Sequence, residues 1–140
     1  MTTNEKLLHG TPKWFDMVGT AMRNAALQAE LSPDVNVCLV ERYTDGIEFE
    51  PGLVQGLRFE IIGGTPSFTL GVRRDERGDI TVEVTTAASH KLNTLHSANP
   101  EFGVAFAELQ AEGEFKVDGD LSALGSWFTA VHDQIVDRTF

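Results

Sequence analysis

The alternation of apolar and polar residues along the chain predicts helices at its two ends and strands between them. Thr11-Pro12 opens the first helix, with Thr as N-cap and Pro at the first helical position, where a missing amide costs nothing. Trp14, Val18, Ala21, Met22, Ala25 and Ala29 follow at helical spacing and form one apolar stripe, while Arg23, Asn24 and Gln28 take the wet side. Ser32-Pro33-Asp34 ends the helix, because proline biases its predecessor away from the helical region.

Val35 to Tyr43 is rich in β-formers, with Val35, Val37, Leu39 and Glu41 on one face and Asn36, Cys38, Val40 and Arg42 on the other, as in an interior strand. A short strand is expected at Ile47–Glu50. Another carries Leu57, Phe59 and Ile61 and stops at the Gly63-Gly64 turn. Ser67 to Arg73 and Asp79 to Thr85 read as a hairpin joined by Arg74–Gly78, with Phe68, Leu70 and Val72 facing inward on one arm and Ile80, Val82 and Val84 on the other. Its other face, Thr69, Arg73, Thr81, Glu83 and Thr85, is expected to meet water.

Thr86 or Ser89 can cap a helix containing Leu92 and Leu95, and Asn99-Pro100 stops it and starts the next. There Phe102, Ala105, Phe106 and Leu109 recur at i, i+3, i+4 and i+7. Gly113 can end that helix, Phe115 and Val117 alternate as on a half-buried strand, Gly119 turns the chain, and Asp120 is placed as an N-cap. Leu121, Leu124, Phe128, Val131 and Ile135 make the stripe of the last helix, with Trp127 beside it. The expected order is helix, strands, two helices, strand, helix, in a single domain spanning 1–140.

Charge narrows the range of partners. With 21 acidic against 11 basic residues the net charge is −10, a field that repels phosphate backbones and anionic headgroups, so no nucleic-acid partner is expected. No stretch has the apolar length of a membrane span and the amino-terminal residues lack a signal pattern, so a soluble, cytoplasmic protein without stable membrane insertion is expected. The lone Cys38 offers no disulfide framework and reads as a small buried hydrophobe.

Catalytic and metal signatures are weak. Asp118-Gly119-Asp120 is explained by a turn and a cap, His90 and His96 are six apart and lie on different helix faces, and His9 and His132 stand alone, the latter beside Asp133 on a wet face. Ser126 lies in no Gly-x-Ser-x-Gly elbow, and no Gly-Lys-Ser/Thr follows Gly63-Gly64. No catalytic residue and no metal ligand is therefore assigned. What remains is an excess of bulky apolar side chains near the carboxyl terminus: Phe102, Phe106, Leu109, Trp127, Phe128, Val131 and Ile135. They either pack as ordinary core or line an apolar cavity.

Glu112-Gly113-Glu114-Phe115-Lys116-Val117-Asp118-Gly119-Asp120-Leu121 is similar to the recurrent glycine-apolar-lysine-apolar-glycine-aspartate signature of the sterol carrier protein 2 family, and Asp79–Thr86 resembles the strand that leads into that family's lipid-side helices. The chain departs from the family at Asn99-Pro100-Glu101-Phe102-Gly103, where a glycine-rich segment is common. The resemblance implies an α+β fold with a twisted, mostly antiparallel sheet of about five strands and helices covering one face. It also implies a lipid, sterol or acyl chain held in an apolar tunnel between sheet and helices, with no cofactor, no inherited catalytic residue, and a monomeric or homodimeric state left open. A protein-interaction module with a filled core and a small enzyme acting on an apolar substrate are the alternatives.

Overall fold

The computed structural model describes residues 5–140. Helix α1 (Pro12–Gln28) starts as its sequence dictates: the Thr11 hydroxyl accepts from the Trp14 amide and Pro12 occupies the first turn. Its buried face, which includes Trp14, Phe15, Val18, Met22 and Ala26, packs on a six-stranded sheet. Full burial of each larger side chain contributes roughly 1.5–3 kcal/mol. Gly19 sits in mid-helix at the point of closest approach, where a Cβ would stand 2.3 Å from the Phe68 ring. A residue that costs the helix about 1 kcal/mol thus lets strand and helix meet.

The strands are β1 (Val37–Tyr43), β2 (Glu48–Glu50), β3 (Leu53–Ile62), β4 (Thr65–Val72), β5 (Ile80–Val84) and β6 (Phe115–Asp118), and the sheet runs in the order β2-β3-β1-β5-β6, with β4 also on β3. Every pairing is antiparallel except β1 with β5, so the expected α+β class with a mostly antiparallel sheet of about five strands holds, the described residues supplying six. The remaining helices are α2 (Thr86–Leu92), α3 (Pro100–Ala111) and α4 (Ser126–Asp137).

Three expectations are corrected. Ser67–Arg73 and Asp79–Thr85 are strands of one sheet but do not form a hairpin together. β4 instead turns back on β3 through Gly63 and Gly64, at φ 58° and 78°, between the partners Ile62 and Thr65. A two-residue turn with both centres at positive φ matches the twist of antiparallel strands, and two glycines adopt it without strain. The Arg74–Gly78 segment carries the chain to the far side of β1, held by buried Glu76, which accepts from Arg58 and from the Arg73 amide. The second correction concerns Thr81, which is buried rather than wet, its hydroxyl accepting from the Gly78 amide under that segment. The third is Val72, expected to face inward with Phe68 and Leu70: past a register shift between Val54 and Leu57 it joins Val40 and Val54 in a small cluster on this back face, against which Cys38 packs half-buried.

Local starts and stops differ in detail. The cap of α2 is Thr85, whose hydroxyl accepts from the Ala88 amide. Asp120 accepts from the Ser122 amide as expected, but what it caps is a 3-10 turn, Leu121–Leu124; α4 begins afterwards, past Gly125 at φ 112°. No helix among the described residues is long and apolar enough to cross a membrane.

Candidate functional site

Cross-strand register sets the floor of the site. On the helix-facing side of the sheet, Leu57, Glu41, Val82 and Val117 form one row across β3, β1, β5 and β6, and Tyr43, Val84 and Phe115 lie in the next. The helices do not close fully on this floor. They leave an apolar cavity of about 460 Å³, partly open to solvent, in the range of small-molecule sites. Phe102 and Phe106 from α3, Phe128, Val131 and Ile135 from α4, and Val82, Val84 and Phe115 from the sheet all face it.

Five of the seven bulky residues singled out above therefore share one wall. Leu109 and Trp127 do not: both are buried in the core, Trp127 with its ring centroid 5.5 Å from that of Phe59 and its indole N–H donating to the Leu124 carbonyl. Aromatic contacts tie the wall together. Phe106 lies 4.9 Å from Phe115 and 6.1 Å from Phe102 between centroids, and Phe102 lies 4.8 Å from the His132 ring. His132 is thus on the cavity wall, not on a wet face, with Nε2 donating to the Leu95 carbonyl at 2.9 Å. The residue four positions after Phe128 belongs on the same helical face, so the spacing carried that signal. Asp133, next along, accepts from the amide and hydroxyl of Ser97 and pins the connection between α2 and α3 to α4. Those hydrogen bonds hold its carboxyl below the ordinary range.

Helix α1 contributes Trp14, Val18 and Met22 to the wall, residues the sequence reading had placed in a core stripe only. Trp14 is locked from behind, its Nε1–H donating to the Thr139 hydroxyl at 3.0 Å.

Among the polar groups on this surface, which include Ser97, Ser122, Thr129 and His132, two features stand out. The first is a cluster built on Tyr43. Its hydroxyl lies 2.6 Å from Ser89 Oγ and 2.9 Å from His9 Nε2, those two lie 3.1 Å apart, and the Asn93 amide donates to the Ser89 carbonyl and hydroxyl. His9, read as isolated, is therefore packed among Tyr43, Ser89, Trp14 and His90. Burial, with His90 adding to it, lowers the His9 pKa to about 4, and burial pushes the Tyr43 phenol well above its usual range. The second feature is Glu41, whose side chain opens onto the cavity. Burial alone pushes its carboxyl up to about 7, with no hydrogen bond or counter-ion among the described residues to hold it down. The described residues contain no group of three or more His, Cys, Asp or Glu side chains placed to hold a metal ion.

No protein-family model matches the sequence, and no curated protein does. Solved structures do resemble the fold. A crystal structure of sterol carrier protein 2 aligns over 92% of this chain and 98% of its own with a TM-score of 0.52 at 11% identity. The UbiJ-SCP2 ubiquinone synthesis protein aligns over 86% and 85% with a TM-score of 0.47 at 17% identity. A sec-alkylsulfatase variant aligns over 84% of this chain but 16% of its own, with a TM-score of 0.47 at 19% identity. The chain has the sterol carrier protein 2-like fold.

Proposed function

We propose that the protein is a lipid-binding module that holds a sterol, a fatty acid or another acyl-chain compound in the cavity between its sheet and its carboxyl-terminal helices. The observation that carries this reading is the cavity itself: about 460 Å³ of space, lined mainly by aromatic and aliphatic side chains, under helices whose inner faces would otherwise have closed on the sheet. A protein-interaction module with a filled core has no use for such a space. The likeness to sterol carrier protein 2 over nearly the whole chain supports the same reading. Phe102, Phe106, Phe128, Val131 and Ile135 contact the ligand, and Leu109 and Trp127 hold the helices that present them. The module works in the cytoplasm without a cofactor and without covalent chemistry.

The test uses one variant as reporter and one as block. Phe106→Trp places an indole in the wall, and its fluorescence is expected to change on saturation with a fatty-acyl or sterol compound. Phe128→Asp sets a charge in the path of the ligand and is expected to abolish uptake. Unmoved Phe106→Trp fluorescence at saturating ligand, with the far-ultraviolet spectrum of a folded protein, defeats the proposal.

A further inference from the structure

Glu41 is the one charged residue on the floor of the cavity among the described residues. Its row neighbours across the sheet are Leu57 and Val82, and the residues two before it and two after it on the same strand face, Leu39 and Tyr43, are both buried. A leucine at this position would complete an apolar floor. A carboxyl group there, unpartnered, is costly to keep ionised. Such a group in a cavity finds its partner in what the cavity receives.

Resting on the carrier reading above, we propose that Glu41 is the polar recognition element of the cavity, and that the cavity takes an elongated apolar molecule whose leading end donates a hydrogen bond, a hydroxyl or an amine, in preference to a fatty-acid carboxylate. The surroundings support this choice of sign. Among the described residues no lysine or arginine lines the cavity, so an anionic end finds no counter-charge beside Glu41. From β3 and β5 the groups facing Glu41 are apolar, as are Trp14, Val18 and Met22 from α1 and Phe102 and Phe106 from α3. The titratable groups on the same side are Tyr43 on β1, engaged with Ser89; His9, engaged with Tyr43; His90 beside His9; and His132 on α4, engaged with the Leu95 carbonyl. Ser89, Asn93, Ser97, Ser122 and Thr129 contribute neutral polar atoms only. None of these supplies the fixed positive charge that a carboxylate ligand requires.

With burial pushing Glu41 up to about 7, the two ligand types bind with opposite pH dependences. A hydroxyl or ammonium donor prefers the ionised carboxylate, so its affinity rises as pH passes upward through about 7 and its binding below that pH releases a proton. A bound carboxylate prefers protonated Glu41, so its affinity falls over the same window and its binding takes a proton up.

Isothermal titration calorimetry with 1-dodecanol, dodecylamine and dodecanoate, at pH 6 and pH 8 and in buffers of different ionisation heat, reads both affinity and proton count. At pH 8 the alcohol and the amine are expected to bind the unmodified protein at least about tenfold more tightly than the carboxylate. Glu41→Gln is expected to shrink that difference and abolish both proton exchange and its pH dependence, and Glu41→Leu to do the same without any hydrogen-bonding group. Equal binding of all three compounds, unchanged by Glu41→Gln, overturns the role of Glu41 and leaves the carrier reading standing. Absence of binding by all three, together with silent Phe106→Trp fluorescence, overturns both.

Discussion

Glu41 and Tyr43 stand two residues apart on one face of β1, beneath the same helices, and the structure treats them in opposite ways. Tyr43 has its hydroxyl shared among Ser89 and His9, in a cluster that Asn93 joins through Ser89. Those contacts fasten α2 and the segment before α1 to the sheet. Glu41 is half-buried at the cavity, with no hydrogen-bond or ion-pair partner among the described residues. A satisfied buried polar group stabilises and orients a fold, whereas an unsatisfied one costs stability and is retained where something else uses it. The first is therefore part of the scaffold, and the second is where a ligand is to be sought.

The largest effect that separates them is on stability. Glu41 has a folded pKa of about 7 against an ordinary 4.5, so between those values the native state binds more protons than the unfolded chain. Stability is lost as pH rises through this window, and the loss is complete above about 7. Glu41→Leu is thus expected to match the unmodified protein near pH 4 and to exceed it by up to about 3 kcal/mol at pH 8 in denaturant unfolding. A variant no more stable at pH 8 than the unmodified protein would show that Glu41 has a partner in the folded state.

Tyr43→Phe acts in the other direction. It removes one hydroxyl and takes one hydrogen-bond partner each from buried Ser89 and half-buried His9, at a cost of about 1–3 kcal/mol that is the same at pH 7 and pH 9. Loss much below that would mean the cluster is rebuilt around water, and Tyr43 would no longer contrast with Glu41.

Much of this was legible beforehand. The periods of the apolar residues located the helices and strands, because each element buries a face and its spacing records which. Strand partners were not legible from alternation, since β5 is equally apolar whether it pairs with β4 or slots between β1 and β6. The deciding signal was the Gly63-Gly64 pair, a turn that stops β3 and also folds β4 straight back on it. Glu41 showed in the sequence as one charge on the face of Val35, Val37 and Leu39. That it lacks a partner depends on the space above it, and a cavity is a property of helix placement that no local pattern encodes. His132 was misplaced because Asp133 beside it drew it to the wet side, although Phe128, His132 and Ile135 fall at i, i+4 and i+7.

His9 sharpens the comparison from the side of Tyr43. Its pKa, lowered from 6.5 to about 4, means that the unfolded chain binds the extra proton between those values, so stability rises with pH across them. Because the ring is partly exposed, solvent screening reduces the effect to about 1 kcal/mol. Over pH 4.5 to 6.5 it opposes the Glu41 term, and each masks part of the other. The unfolding free energy of Glu41→Gln is expected to rise with pH across this range, where that of the unmodified protein falls. His9→Gln should instead leave a steeper fall.

The smallest effect belongs to Asp120, a carboxylate whose setting is the reverse of that of Glu41. It is solvent-exposed and accepts from both the hydroxyl and the amide of Ser122 at the start of the 3-10 turn. Those hydrogen bonds favour the ionised form and hold its pKa below 3.8. Stability from this cap is therefore present above the ordinary carboxylate pKa and is lost as pH falls through the lowered folded value. Asp120→Ala is expected to give a small fall in Tm at pH 7 that vanishes in acid, with binding of 1-dodecanol by the folded protein unchanged. Ser122 is on the cavity wall but Asp120 is not, so the capping contact and the binding surface meet at one residue. A change in dodecanol affinity on Asp120→Ala would show that the turn before α4 also sets the shape of the cavity mouth, and the division between scaffold and site would then run through Ser122.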